Sequence, residues 1–446
     1  MRFSIISLLV VTLAFSGSVN GQDLSTPLLD GSWQSTFSNP ALLHRMPGKL
    51  TIGLPGAYND LFIENFTYND LVVEAEGRTL LDANQAIDLL GPQNEIRNAL
   101  DLETIGIAIR GKKLALGFHH RIRYDGQLNY PKTLAQVIWQ GNAQFIGQTV
   151  DIAPDIQILG YHEFGFSAAY KIADILTVGG RINYFSGISD ASTREGSTLG
   201  LNTAEDTYDL TLEQDYVLNS SGTLTYEGLD GVTTDFDFGN LNFNNFLGSN
   251  TGIGFDLGAQ LDLGKIRVQA SALNLGASID WEEDVRNYTL AGTEAFTGLD
   301  VLQNLLDDTT SFDSILDSIE TQFSPTETAN GYNTTLGEQF LLAAEIDLTE
   351  KLTVGGLLHY QNRKLEGEPS FAISGRYRLT DFLQAGAVYS YRAGSATNLG
   401  INVTAKLGPI ILLAATDNIV TAFRPKDSQR ANIRVGLSLS LFEEQE

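Results

Sequence analysis

Cysteine is absent from all 446 residues, so the fold does not rest on disulfides and no cysteine-based zinc spacing exists. Basic residues are scarce: 28 Lys and Arg stand against 54 Asp and Glu, for a formal net charge of −26. Phosphate binding needs clustered Lys and Arg, so nucleic acid is not an expected partner. Beyond the first 21 residues no apolar run approaches the ~20 residues that a membrane-crossing helix needs. Proline is rare inside the alternating segments described below. Of 11 prolines only Pro55 falls within one, which makes the first strand the hardest to place.

What is present begins with a secretory pattern. Arg2 supplies a positive start, Ile5–Phe15 an apolar stretch, and Val19-Asn20-Gly21 a small-residue cleavage site before Gln22. A chain that is exported without a membrane helix has only strands with which to span a bilayer. Strands in lipid must close into a barrel, because every backbone donor and acceptor needs a partner within the protein.

From Leu102 onward one unit recurs. Two alternating apolar/polar runs are joined by a very short turn, and a longer polar connection leads to the next pair. The short turns are at Gly111-Lys112-Lys113, Ala173-Asp174-Ile175, Gly264, Thr349-Glu350-Lys351, Thr380-Asp381-Phe382 and Gly408-Pro409. The runs they join are 102–110 with 114–124, 161–172 with 176–185, 251–263 with 265–281, 339–348 with 352–361, 370–379 with 383–392, and 397–407 with 410–416. A last strand at 431–442 and a first strand within Lys49–Leu71 bring the total to 14. The fold class predicted is all-β: a transmembrane antiparallel barrel in the bacterial outer membrane. Its termini are expected on the short-turn, periplasmic side.

Phase within the runs agrees. Leu114, Leu116, Phe118, His120, Ile122 and Tyr124 share one face, while His119, Arg121 and Arg123 share the other. A soluble sandwich would alternate too. It would not place Tyr124, Tyr184, Trp281, Tyr360 and Tyr391 where outgoing strands reach their long loops, as an interfacial aromatic girdle requires. The alternation slips once near Leu273, which predicts a bulge at Asn274 or Gly276. Residues 186–250 and 281–335 each carry eleven acids against one arginine and read as solvated loops. Whether 186–250 adds hairpins is left open. Helical spacing over 299–323, and shorter stretches at Ala83–Leu90 and Pro131–Trp139, predict helices that cap the mouth. The domain plan is a signal at 1–21, a plug at 22–48, a barrel at 49–442 and a tail at 443–446.

The strongest polar constellation lies on the predicted inner face: His119, Arg121, Arg123, Glu163, Arg181, Asp256, Arg267, Glu345, His359 and Arg376. Opposite charges that face a lumen can pair across it, which offsets their burial, or form a constriction that selects solutes. His119-His120 is not a metal pair, since adjacent strand residues point to opposite faces. Asp230, Asp235 and Asp237 have calcium-like ligands without the spacing of an EF-hand loop. No nucleophile elbow, P-loop or zinc spacing is present, so no enzyme, cofactor or metal is expected.

Ser38-Asn39-Pro40-Ala41 resembles the Asn-Pro-Ala segment of FadL-like and PorP/SprF-like outer-membrane barrels. Arg434-Val-Gly436-Leu-Ser-Leu439-Ser-Leu441-Phe442 is similar to the terminal signal read by the barrel assembly machinery, although Glu443–Glu446 follow the aromatic. Ile52–Pro55, Phe66–Asp70, Gly141-Asn142, Leu273–Gly276 with Trp281, and Asp417-Asn418 with Pro425 and Asn432–Arg434 resemble an uncharacterised Bacteroidota outer-membrane barrel family, a domain of unknown function. The resemblance spans almost the whole mature chain. It implies a 14-stranded barrel with an N-terminal plug but lends no activity. Two functions are therefore expected as alternatives. One is a passive channel for apolar or amphiphilic small molecules. The other is a structural or docking barrel for secretion or gliding machinery or for surface interactions. Expected partners are outer-membrane lipids, the assembly machinery during biogenesis and a small amphiphilic ligand.

Overall fold

The computed structural model describes residues 24–29, 31–75, 78–222, 224–226, 232–234, 247–296, 325–362, 367–392 and 395–443. The secretory pattern at 1–21, the aspartates at 230, 235 and 237, the helices predicted over 299–323 and the end of the tail at 444–446 lie outside the described residues.

Fourteen long strands build one wall. They are β1 (Gly48–Ile63), β2 (Gln93–Arg110), β3 (Leu114–Pro131), β4 (Asp155–Ala173), β5 (Leu176–Thr193), β6 (Thr251–Asp262) and β7 (Ile266–Trp281). The second half comprises β8 (Gln339–Asp347), β9 (Leu352–Asn362), β10 (Gly367–Arg378), β11 (Leu383–Arg392), β12 (Ser395–Leu407), β13 (Ile410–Thr416) and β14 (Arg430–Glu443). Each pairs antiparallel with the next, and β14 returns to β1 from Gly48↔Glu443 to Phe62↔Arg430. Closure leaves the wall without an edge, which lipid demands. Tight turns sit at one end; Gly264 and Gly408 take φ of +81° and +62° there, a region that glycine enters without a Cβ penalty. Pro55 falls where the β1–β14 register shifts between Leu54 and Ala57, so its missing N–H breaks no regular ladder.

The expected strand count and turns stand, but several strands are longer than their alternation suggested. β2 begins at Gln93, and β4 and β5 reach Asp155 and Thr193 at the loop end. Above β5 the acidic stretches are not plain loops. Leu210–Gly222 pairs with the top of β5, with Thr198–Thr203 and with Arg286–Phe296, forming an outgrowth of sheet.

Two expectations are corrected. The phase of β7 slips twice rather than once, because both Asn274 and Gly276 adopt positive φ, +58° and +60°. Each slip turns the strand by one residue. Leu257 pairs with Ala272, Phe255 with Leu275 and Ile253 with Ser278, so Ala277, Ile279 and Trp281 face inward. Trp281 is 0% exposed and stacks on Tyr332 inside the wall; it is not part of a girdle. Tyr360 and Tyr391 do sit exposed on the outer face, whereas Tyr124 is folded down over Gly160.

The helices Ala83–Leu89 and Lys132–Gln140 exist, but they do not cap the mouth. They pack with Phe66 and Tyr130 against Ile63, Ile96 and Leu128. These three are outward-facing residues of the β1, β2 and β3 tops, by alternation from Phe62, Arg97 and Gln127. An apolar strip on three strand tops recruits them to the outside.

Candidate functional site

The short-turn half of the lumen is filled by the chain's own N-terminal segment. It runs from Leu24 through tight turns at Thr26–Leu28 and Pro40–Arg45 and one short helix, Ser35–Ser38. Leu24 and Leu28 pack on inner residues Leu341, Leu357 and Val388, while Trp33, Phe37, Leu43 and Met46 pack on Ala108, Ala115 and Ala169. The wall is thinned where the segment presses on it. Gly53 and Gly106 leave no room for a Cβ beneath the Trp33 ring, and Gly179 and Gly258 do the same beneath Asn39-Pro40-Ala41. Asn39 accepts from the Ala41 N–H at 2.9 Å and donates to the carbonyls of Ala259 at 3.1 Å and Ala270 at 3.3 Å. One side chain thus sets the local turn and ties it to two strands.

The ten lumen residues predicted from sequence all lie on the inner face, and nine fall into three groups. Glu163 receives His119 Nε2 at 2.9 Å, Arg123 at 3.0 Å and Arg121 Nε at 3.2 Å, and Arg121 also reaches Asp101 at 2.8 Å. Arg181 pairs with Asp256 at 3.1 Å and donates to the Thr36 carbonyl at 2.7 Å. Arg376 pairs with Glu345 at 3.1 Å, Arg267 lies 3.6 Å from the same carboxylate, and Arg376 also donates to the Leu28 carbonyl. Each group therefore faces the N-terminal segment, and Arg121 stacks over Phe37 at 4.3 Å. The tenth, His359, is buried on β9 opposite Ser370. His120 faces outward and meets His162, with 3.1 Å between ring nitrogens. Among the described residues no three His, Asp or Glu side chains are grouped to hold a metal ion.

A further layer nearer the loop end was missed. Arg430 holds Asp60 through two hydrogen bonds of 2.8 and 2.6 Å. Glu368 accepts from Arg392 at 2.9 Å and from Arg97 at 3.2 Å, and Arg97 also meets Glu95 at 3.4 Å. The Phe62 ring lies between Arg97 and Arg430, 5.4 and 5.6 Å from their guanidinium carbons. Lower down, level with Arg121, Glu103 joins Arg434 at 2.8 Å and Gln34 of the N-terminal segment at 2.7 Å. The signal available was the same period of two: Asp60 with Phe62, and Arg97, Asp101 and Glu103 with a single slip at Thr104. Arg97, Glu95 and Glu368 lie outside the runs followed, and Asp60, Glu103, Arg392 and Arg434 lie inside them with partners that are distant in sequence.

Above this layer the barrel is open. A cavity of about 820 Å³ has Glu64, Asp151, Asp155 and Glu195 on its walls and Phe62 and Glu368 at its base. A second, of about 590 Å³, adjoins it at Gln127 and Glu195. Its wall is backed by the inward apolar patch of Leu159, Tyr161, Phe185, Ile279 and Trp281. Asp190 is buried in that wall and accepts from Tyr332 at 2.9 Å, Thr334 at 3.0 Å and Ser192 at 2.8 Å. Burial, followed by the Asp190 carboxylate, pushes the Tyr332 phenol well above its usual range. Among the described residues, a cavity of about 80 Å³ lies between the segment and the Glu163 and Asp256 groups, and one of about 20 Å³ between the segment and Arg267 with Glu345.

A closed 14-stranded wall, apolar outside and charged within, defines a transmembrane β-barrel of the outer-membrane type. The chain belongs to a family of unknown function (DUF5723), whose model matches residues 40–417. Similar solved structures include the toluene transporter TbuX of Ralstonia pickettii, at 12% identity over 92% of this chain and 93% of that one, with a TM-score of 0.45. They also include the toluene transporter TodX of Pseudomonas putida, at 10% identity over 93% and 95%, with a TM-score of 0.46. A FadL homologue of Pseudomonas aeruginosa is 12% identical over 92% of each chain, with a TM-score of 0.43. No curated protein matches the chain.

Proposed function

We propose that this barrel is a gated outer-membrane channel for small polar or amphiphilic solutes, with residues 24–47 as its plug. The observation that carries the reading is the layering of the lumen: roomy cavities at the loop end, then bands of ion pairs, then a segment seated in the wall by hydrogen bonds and packing. Of the solute classes expected from sequence, the amphiphilic one is favoured. The cavities present carboxylates and amides. A mainly apolar groove of about 490 Å³, with Phe340, Leu358 and Phe371, lies on the outer face. Pro369 and Tyr391 border both the groove and the larger cavity, so a polar head and an apolar tail have surfaces on either side of the same strand tops.

The docking alternative is supported by the ion pair Arg97–Glu368, which ties distant parts of the wall together. Uptake into proteoliposomes separates the two. A channel admits polar and amphiphilic solutes faster than protein-free lipid does, and faster still without residues 24–46. No entry of any solute in either form would favour docking.

A further inference from the structure

Two glutamine pairs flank the smaller of the upper cavities. Gln127 on β3 lies directly opposite Gln157 on β4, and Gln339 on β8 lies directly opposite Gln361 on β9. The pairs stand five places apart round the wall, and all four residues line the cavity of about 590 Å³. No Lys or Arg joins them among the described residues of that lining. Gln339 is 5% exposed, as Gln361 is, and its side-chain amide makes no hydrogen bond among the described residues. It also lines the cavity of about 80 Å³ below, so it stands where the open half of the lumen narrows towards the N-terminal segment.

A buried primary amide has two N–H donors and a carbonyl to satisfy, and leaving them unmade forgoes their hydration without compensation. A partner for Gln339 can come from the cavity it lines. A hydroxyl both donates and accepts, so neighbouring hydroxyls on one molecule answer such amides without bringing a charge. Asp125, Glu195 and Glu338 on the same walls can accept from hydroxyls too, and they repel an anion that would find no base there. Leu159, Ala277 and Leu336 add apolar patches that suit the C–H faces of a sugar ring. The volume of about 590 Å³ lies within the range of about 300–1,000 Å³ usual for small-molecule sites.

We propose that this cavity is a binding site for uncharged, hydroxyl-rich solutes, short oligosaccharides in particular, held between the two glutamine pairs. Gln339 and Gln361 take hydroxyls on one side, Gln127 and Gln157 take them on the other, and the guest lies above the neck that Gln339 borders. The proposal rests on the channel reading and names its polar solute class. Binding is read on the closed barrel and conductance on the opened one, so either can fail alone.

The test is calorimetric titration of the full-length barrel in an ethoxylate detergent, which brings no sugar head of its own. The probes are three neutral sugars, cellotriose, maltotriose and mannotriose, and the cationic chitotriose, which is cellotriose with an ammonium in place of each 2-hydroxyl. At least one neutral trisaccharide should bind, and chitotriose should bind no more tightly than cellotriose. No binding of any neutral sugar overturns the proposal. Binding of chitotriose at least about tenfold tighter than every neutral sugar also overturns it, because the carboxylates would then simply be collecting cations. Gln339→Leu keeps the bulk and removes the amide, and it should weaken the best neutral sugar by at least about tenfold. If Gln339→Leu folds, judged by heat-modifiable gel mobility, and binds that sugar as the unmodified chain does, the site is assigned wrongly. If it does not fold, Gln127→Leu on the opposite pair is held to the same standard. If neither folds, the comparison of sugars on the unmodified chain decides alone.

Discussion

Arg97 and Glu368 meet at 3.2 Å although β2 and β10 stand six places apart round the wall. Most of the other lumen pairs join neighbouring or next-nearest strands, as Arg181–Asp256 and Glu103–Arg434 do. The Arg97–Glu368 pair is a crossbar, and it divides the open cavities from the bands that hold the N-terminal segment. Arg97→Ala leaves Glu368 with Arg392, and Glu368→Ala takes from two buried guanidinium groups the carboxylate they share, Arg97 keeping Glu95. Breaking a buried pair from one side typically costs about 3–5 kcal/mol, and removing both partners costs less. The expected outcome is that the double variant is more stable than the Glu368→Ala variant in a denaturant titration. The reverse order would show that the crossbar does not couple the two sides.

The phase of the wall is tested at β12. Ile401 faces outward and Asn402 is buried inside. Ile401→Arg should cost about 2–4 kcal/mol, as charges on a lipid face near mid-membrane do, and Asn402→Arg much less. Equal losses would contradict the assigned faces.

Much of this architecture was legible because a barrel wall writes its geometry into sequence at period two, and its short turns admit few residues. The turn residues, the 14 strands and the inner positions of the ten lumen residues follow from that. What was not legible came from local irregularity and from distance. At β7 the residues Asn274 and Gly276 each take positive φ, and one apparent slip in the pattern was two in the backbone. Trp281 was therefore placed on the wrong face. The crossbar was missed for a different reason: no local pattern indicates that Arg97 and Glu368, 271 residues apart, share a height in the lumen. The helices Ala83–Leu89 and Lys132–Gln140 were recognised, but of their partners Ile96 and Leu128 lie on strand tops beyond the runs that were read, and Ile63 lies in a first strand whose bounds the sequence left open.

Orientation can be checked by labelling. Glu195→Cys and Glu205→Cys, exposed at the loop end, should react with an impermeant maleimide on whole cells. Lys113→Cys and Glu350→Cys, at tight turns, should react only after the outer membrane is opened. The opposite order would invert the barrel, and equal reaction at all sites would argue against a membrane-spanning wall.

Closure makes a sharp demand on the last strand. β14 pairs with both β13 and β1, so its loss exposes two ladders of backbone groups to lipid. A chain truncated before Ile433 should fail to reach the outer membrane as a heat-modifiable, folded species. Removal of Glu444–Glu446 should have little effect. A folded barrel from the longer truncation would contradict the closing pair.

The seat of the N-terminal segment is narrow at Gly106, where the Trp33 ring leaves no space for a methyl group. Gly106→Ala should push Trp33 from its place and increase proteolysis within residues 24–46. The double variant Gly106→Ala/Trp33→Ala should restore protection in part. An unchanged digestion pattern in Gly106→Ala would mean that the segment is held elsewhere.

The most direct measurement of the whole account is single-channel conductance in a planar bilayer, with the intact chain compared with one lacking residues 24–46. The segment fills the lumen below the ion pairs, and the cavities between them are small, about 80 and 20 Å³. The intact barrel is expected to be closed or to open rarely, and the deletion variant, where it runs as a folded barrel on a heat-modifiable gel, to show a stable and markedly larger conductance. A folded deletion variant that conducts no better than the intact chain would contradict the central claim that this segment is what closes the channel.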